Sequence, residues 1–387
     1  MDLPLSPRIR ATGAPPIPAV RGWAARYQGG AGPVLDMTQA VPGYPPHADL
    51  LARLAAAAGD AKSAGYGPIE GEAALREALA ADMARAYRAR IGAGDIAITA
   101  GGNLAFTLAM MTLAGAGDAV MLPAPWYFNH RMAIEALGIP CRVLPCRAED
   151  GFLPDPALAA TLMQGVRAIV LVTPNNPTGA TYSPELVTQF AKLCHDHGAW
   201  LVLDETYRDF IPEAAAAGAP HGLFQDATWQ DHVVHLYSFS KAYCVPGHRV
   251  GAIAAGAGFQ RELAKAIDTV QICPPRAAQI ALAWGVEALR DWRAGNRAIM
   301  AGRAAAFRTA MAPINAWRID ALGTYFAYLR LPDGAGDSEA TAEALAVERG
   351  LLGLPGSFFG PDQERHLRLA FANAEEAVIA AVPGRLA

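Results

Sequence analysis

A chain of 387 residues with 52% hydrophobic and 18% charged side chains is long enough for two domains and a large buried core. Its formal net charge of −4 offers no electrostatic footprint for nucleic acid or an anionic membrane surface. No run approaches the roughly eighteen apolar residues that a membrane-spanning helix needs.

Residues 1–45 read as an arm that packs on a small domain. Met1–Val20 is broken by prolines and has no apolar signal core, which predicts a cytoplasmic start. Val41-Pro42-Gly43-Tyr44-Pro45-Pro46 leaves little room for regular structure. A large domain is expected over 46–275. It opens with a helix from Leu50 to about Ala58. The loop Gly65-Tyr66-Gly67-Pro68-Ile69-Glu70-Gly71 follows, then an Ala/Leu/Arg-rich helix, Glu72 to Arg90. From there short apolar strands alternate with helices. Ile96–Thr99 leads into a helix from Asn103 to Leu113. Ala119–Leu122 is followed by a helix to Leu137, and Cys141–Leu144 comes next. Ala168–Thr173 precedes the helix Pro184–His197, and Trp200–Glu205, Val233–Tyr237 and Arg249–Ala254 complete the strands. Ala214–Ala217 reads as helix or loop filler. A smaller α+β domain is expected over 276–387. It comprises long Ala/Arg helices over Arg276–Met311, a strand near Thr324–Leu331, a helix Ser338–Arg349 and a strand His366–Phe371.

The five cysteines form no Cys-x-x-Cys pair, which argues against a disulfide framework and a structural zinc site. Cys194-His195-Asp196-His197 resembles a metal cluster, but neighbours on a helix point about 100° apart and do not converge on one ion. A helix C-terminus carrying histidines is the expectation there, and no metal.

Near-continuous apolar strands separated by helices predict an α/β fold with a parallel sheet covered on both faces. Ligands in such folds bind beyond the carboxyl ends of the strands. Gly101 and Gly102 let backbone approach a phosphate at a helix N-terminus, although a plain strand-to-helix turn has the same composition. Tyr127 can stack on a flat ring or serve as a core aromatic. Asn176 and Tyr207 can donate to a phenolate oxygen. Asp204, at the inner end of an apolar strand, needs a cation, a helix cap or a salt bridge to offset desolvation, and a protonated pyridine nitrogen is one such cation. Ser238 and Ser240, with Arg249 further along the chain, make a cradle for a dianionic phosphate. Lys241 beside that cradle can form a Schiff base with an aldehyde cofactor.

In chain order, Tyr66, Gly101-Gly102-Asn103, Pro125-Trp126-Tyr127, Asn175-Asn176-Pro177-Thr178-Gly179, Asp204-Glu205-x-Tyr207, Ser238-Phe239-Ser240-Lys241, Arg249 and Arg368 resemble the ordered signature of class I/II aminotransferases. These are fold-type I pyridoxal-phosphate enzymes. The resemblance runs from about Gly43 to about Arg368 and implies a mostly parallel, seven-stranded-type central sheet with a smaller α+β domain beside it. It implies that Lys241 forms the internal aldimine with pyridoxal 5'-phosphate and moves the proton between Cα and the cofactor. Asp204 pairs with the pyridine nitrogen, Tyr127 stacks on the ring, and Asn176 and Tyr207 meet its phenolic oxygen. Gly101, Gly102, Asn103, Ser238, Ser240 and Arg249 surround the phosphate, with Tyr66 reaching in from a second subunit of a homodimer. Arg368, Asn176 and the Gly43 backbone hold the substrate α-carboxylate.

The implied activity is transfer of an amino group between an α-amino acid and a 2-oxo acid. A carbon–sulfur β-lyase or a decarboxylase of the same fold uses nearly the same residues and is the alternative. A sensing module of a transcription regulator would need a DNA-binding domain, for which the short N-terminus leaves no room. A catalytically silent scaffold would not need Lys241, Asp204, Arg249 and Arg368 intact. Two departures stand out: Gly102-Asn103 replaces a frequent serine or threonine, and Ala266–Ile272 lacks the arginine that dicarboxylate-specific relatives place before the Cys273-Pro274-Pro275 position. Aspartate and glutamate are therefore not expected to be held by that device, and Trp126 and Tyr44 are expected to line an apolar or mixed pocket.

Overall fold

The structure, a computed structural model, describes residue 3, residues 5–212 and residues 218–386. The tract Ala214–Ala217 lies outside the described residues, as do Met1 and Asp2 of the arm. In chain order the strands of the described residues are β1 (Leu35–Asp36), β2 (Ile96–Thr99), β3 (Ala119–Ala124), β4 (Cys141–Pro145), β5 (Val166–Val172), β6 (Trp200–Asp204), β7 (Val233–Ser238), β8 (Gly251–Ala254), β9 (Arg318–Gly323), β10 (Phe326–Arg330), β11 (Leu351–Leu352), β12 (Leu354–Pro355) and β13 (His366–Ala370).

Seven strands form the large sheet in the order β2-β8-β7-β6-β5-β3-β4. The run from β7 to β4 is parallel, and β8 is antiparallel to both its neighbours. The strands read as unbroken apolar runs because both faces are covered. Side chains alternate between the two cores with the two-residue period of a strand. Ile169, Leu171, Leu201 and Leu203 face Leu50, Leu79, Met83 and Phe190 on one side. Val170 and Val202 face Phe106, Ile134, Phe259 and Leu263 on the other. The helix Ala257–Gln271, which the sequence reading passed over, supplies Phe259 and Leu263. Arg249 takes no part in β8, being in the left-handed region at φ 50.

The smaller sheet is antiparallel, β12-β13-β10-β9. The helices Arg290–Met311 and Glu376–Leu386 cover it with Phe307, Met311, Ile379 and Val382 against Leu329, Leu367 and Leu369. The arm contains two helices, Pro7–Ala11 and Pro16–Ala24. Its β1 pairs with β11, and its Val20 packs with Tyr328 and Leu354 of the small sheet. The helix Ser338–Ala344 continues into a π-helical turn, Leu345–Arg349. The long Ala/Arg stretch divides at Leu289 into Arg276–Ala288 and Arg290–Met311. Ala278, Leu282 and Val286 of the first piece share the core of the large sheet, so packing changes hands near Leu289 rather than at 276.

Candidate active site

A cavity of about 300 Å³ opens where β5, β6 and β7 end at Val172, Asp204 and Ser238. Gly102, Asn103, Tyr127, Asn176, Asp204, Tyr207, Ser238, Ser240, Lys241, Arg249 and Arg368 all line it. They come from strand ends, helix starts and the middle of β13, so the sheet order brings them together.

Lys241 lies in the one-turn helix Phe239–Ala242 directly after β7, where Ser238 caps the turn by accepting from the Ser240 amide at 3.3 Å. The Lys241 Nζ donates to the Ala40 carbonyl at 2.5 Å. Burial first, then the Arg368 and Arg249 guanidinia, push its pKa down to about 8. Asp204 is 8% exposed. Its Oδ1 accepts from the Thr206 amide at 2.9 Å, and its Oδ2 lies 3.1 Å from His130 Nε2. Burial alone would raise its carboxyl, yet the His130 and Thr206 hydrogen bonds hold it below the ordinary value.

His130 was not singled out from the sequence. It sits in the first turn of the helix Phe128–Leu137, buried and stacked on Phe106 with ring centroids 3.9 Å apart. Its spacing of three from Tyr127 puts both on one helix face, which is the signal that could have found it. The Tyr127 hydroxyl donates to Asn103 Oδ1 at 3.3 Å.

Arg368 is 2% exposed in β13. Its Nη1 donates to Asn176 Oδ1 at 3.0 Å, Nη2 donates to the Thr38 carbonyl, and the guanidinium lies 4.9 Å from the Phe326 ring centre. Its Nε is buried without a partner, and burial pushes its pKa down to about 10. Asn175 turns away and accepts from Thr178 within its own loop. Tyr207 packs on Tyr325 and Phe326, and burial raises its hydroxyl, which stays neutral.

Gly101 has φ 92, and a Cβ there would run into the Arg249 guanidinium. A Cβ on Gly251 would meet Gly101 C at 2.6 Å and Gly102 N at 2.7 Å. The turn into the helix Gly102–Leu113 is thus packed tightly against β8 and Arg249, with its first amides free of intrahelical acceptors.

Five expected residues do not line the cavity, Gly101 among them, one position before the lining Gly102. The Gly43 amide donates to the Ala372 carbonyl at 3.0 Å, and the segment Thr38–Val41 reaches the cavity in its place. Trp126 lies beside a small void behind Tyr127, its ring against Gly360. Tyr44 packs edge-on to Trp292, 5.8 Å away. Tyr66 is 79% exposed and does not line the cavity of its own chain.

The donor set fits pyridoxal phosphate. It offers an amine with a depressed pKa, a buried carboxylate kept ionised, a dianion cradle at a helix N-terminus, and a buried guanidinium with an unused N–H. Fold and site together define an α/β enzyme of the pyridoxal-phosphate kind. The sequence profile of aminotransferase class I and II matches residues 34–386, and the chain belongs to that family. It is 29% identical to an aromatic aminotransferase of Arabidopsis thaliana, over 99% of this chain and 95% of that protein. It is likewise 29% identical to a valine–pyruvate aminotransferase of Mycobacterium tuberculosis, over 90% of this chain and 89% of that protein. A crystal structure of an aminotransferase from Mycobacterium tuberculosis superposes with a TM-score of 0.89 at 26% identity, covering 100% of this chain and 98% of that one. The aspartate aminotransferase of Thermus thermophilus with maleate shares the fold, with a TM-score of 0.89 at 23% identity and 99% of each chain covered. The chain is a pyridoxal-phosphate-dependent aminotransferase, and the lyase and decarboxylase alternatives are not favoured.

Proposed function

We propose that Lys241, Asp204 and Arg368 carry the transfer, each with a distinct task. The observation behind this reading is their convergence on one cavity at the strand ends. Pyridoxal phosphate supplies a carbonyl that captures amines and an electron-poor ring that spreads negative charge from the neighbouring carbon. Lys241 would hold the cofactor covalently at rest, and once freed its amine would take a proton from the substrate Cα and deliver one, on the same face, to the former aldehyde carbon of the cofactor. A pKa of about 8 leaves part of the amine in the free-base form at neutral pH, which suits a general base. Asp204, kept ionised by His130, presents a carboxylate to the pyridine nitrogen and keeps it protonated. Tyr207 and Asn176 donate to the phenolic oxygen, and Tyr127 covers one face of the ring. Gly101, Gly102, Asn103, Ser238, Ser240 and Arg249 hold the phosphate. Arg368 pairs with the substrate α-carboxylate and so fixes which bond stands perpendicular to the ring.

The cations among the described cavity residues are Lys241, Arg249 and Arg368, each already assigned. The flanking surface comes from Ile17, Gln39, Val41 and Phe128, which supports donors without a second carboxylate. We further read the protein as a cytoplasmic homodimer of two-domain subunits, with the arm packed on the small domain. Tyr66, 79% exposed, serves the partner's phosphate in that assembly.

Absorbance in the region of roughly 330–430 nm reports cofactor bound to the lysine. Lys241→Ala should remove that band and all transfer, whereas Lys241→Ala with full activity would refute the assignment. Rates over a panel of amino donors test the substrate reading, and a clear preference for aspartate would overturn it.

A further inference from the structure

Among the described residues the outer edge of β2 has no neighbouring strand, since β2 ends the sheet order. Its outward amides recur every second residue and find two separate acceptors. The Ile98 amide donates to the Glu70 carbonyl at 2.9 Å. The Ala100 amide, the last before the phosphate turn, donates to the side-chain Oε1 of Gln271 at 3.1 Å across 171 positions of sequence.

Both ends of that bond are held in tight turns. On the Ala100 side, the Gly101 amide bonds the Thr99 carbonyl at 2.7 Å, a three-residue γ-turn that leads into Gly101 at φ 92. On the other side, Gln271 is the last residue of its helix, and Ile272 follows at φ 60 and ψ −62. The Cys273 amide closes that turn on the Gln271 carbonyl at 2.6 Å. A β-branched residue at positive φ is strained and persists only where its surroundings enforce it. The turn ends the helix at the position from which the Gln271 side chain reaches Ala100. The remaining Gln271 donor, Nε2, is buried without a partner, so the oxygen of this amide is the atom in use.

We propose that Gln271 is a positioning residue for the phosphate turn. It fixes the Thr99–Ala100 peptide on the edge opposite the β8 pairing of Thr99 with Gly251, and so aims the first amides of the helix Gly102–Leu113 at the phosphate. The proposal rests on the assignment of the phosphate to Gly101–Asn103.

The test uses the full-length protein stripped of cofactor and titrated with pyridoxal phosphate and, separately, with pyridoxal, which has the aldehyde but no phosphate. Gln271→Leu keeps the apolar volume and removes the acceptor. It should raise the Kd for pyridoxal phosphate by about tenfold, the scale of a lost hydrogen bond that leaves an amide unsatisfied, and change the Kd for pyridoxal by less than about twofold. Gln271→Met repeats the measurement with a side chain of similar length. Hydrogen exchange at the Ala100 amide should accelerate in both variants. An unchanged preference for the phosphorylated ligand, or an equal loss for both ligands, overturns the proposal. A wild-type protein without preference for pyridoxal phosphate over pyridoxal would instead overturn the phosphate assignment itself.

Discussion

At the scale of single residues, Lys241 carries a positive charge into a half-buried site that already holds Arg368 and Arg249. An unfolded chain releases that proton near 10.5, the folded one near 8. The unfolded state therefore binds more protons between those values, and stability rises with pH across that window. Below about 8 the full penalty is present. Lys241→Met should stabilise the cofactor-free protein at pH 7 by on the order of 1–2 kcal/mol, allowing for partial exposure, and the gain should fade toward pH 10. Thermal melts of both proteins across that range check it, and a gain that grows with pH would contradict the sign. His130 contacts Asp204 and does not line the cavity, so under the proposed mechanism it acts through that carboxylate. A charge-assisted hydrogen bond is worth about 1.5–3 kcal/mol, so His130→Ala should lower kcat by roughly 10–100-fold while the Km for the amino donor changes little. A loss confined to Km would remove His130 from this role.

At the scale of elements, the turn after β6 carries Asp204 and Tyr207 and is anchored by three buried carboxylates. Glu205 Oε2 accepts from the Tyr87 hydroxyl and lies 2.9 Å from His235 Nε2 and 3.5 Å from His221 Nε2. Asp209 accepts from the Tyr237 hydroxyl at 2.8 Å and from Arg293 at 2.6 Å. Asp82 receives Arg208 at 2.8 Å and Arg293 at 2.9 Å. Burial opposes the Glu205 charge, but His221 and His235 hold its carboxyl well below the ordinary value. Its contribution is fully present above about pH 4.5 and is lost as the pH falls through the depressed folded value. Glu205→Gln should flatten that acid limb of the stability profile, and an unaltered limb would mean the charge contributes nothing. Arg293→Met leaves Asp82 and Asp209 short of a partner and should cost about 3–5 kcal/mol in chemical denaturation. A loss below about 1 kcal/mol would show that the remaining partners suffice.

At the scale of the whole molecule, the proposed exchange of Tyr66 between subunits has a direct signature. In a two-fold symmetric dimer each site takes Lys241 from one subunit and Tyr66 from the other. Co-refolding the inactive Lys241→Ala and weakened Tyr66→Ala proteins should produce mixed dimers with one intact site, restoring about a quarter of wild-type activity. Activity no higher than the average of the two parents would place Tyr66 in its own chain's function or in none.

The sequence by itself determined the large sheet and most of the cavity. Unbroken apolar strands and the polar residues that end them are local patterns, and in a parallel sheet those ends must face one way. Lys241, Asp204, Asn176 and Ser238 were legible for that reason. Tertiary structure alone decided that His130 stands behind Asp204, that Thr38–Val41 rather than Gly43 reaches the cavity, that the helix Arg276–Ala288 joins the first core, and that Gln271 meets Ala100. Each of these is a contact between segments far apart in the chain. Which partners meet depends on strand order and on how the helices pack across the sheet, and neither leaves a periodic trace in the residues themselves.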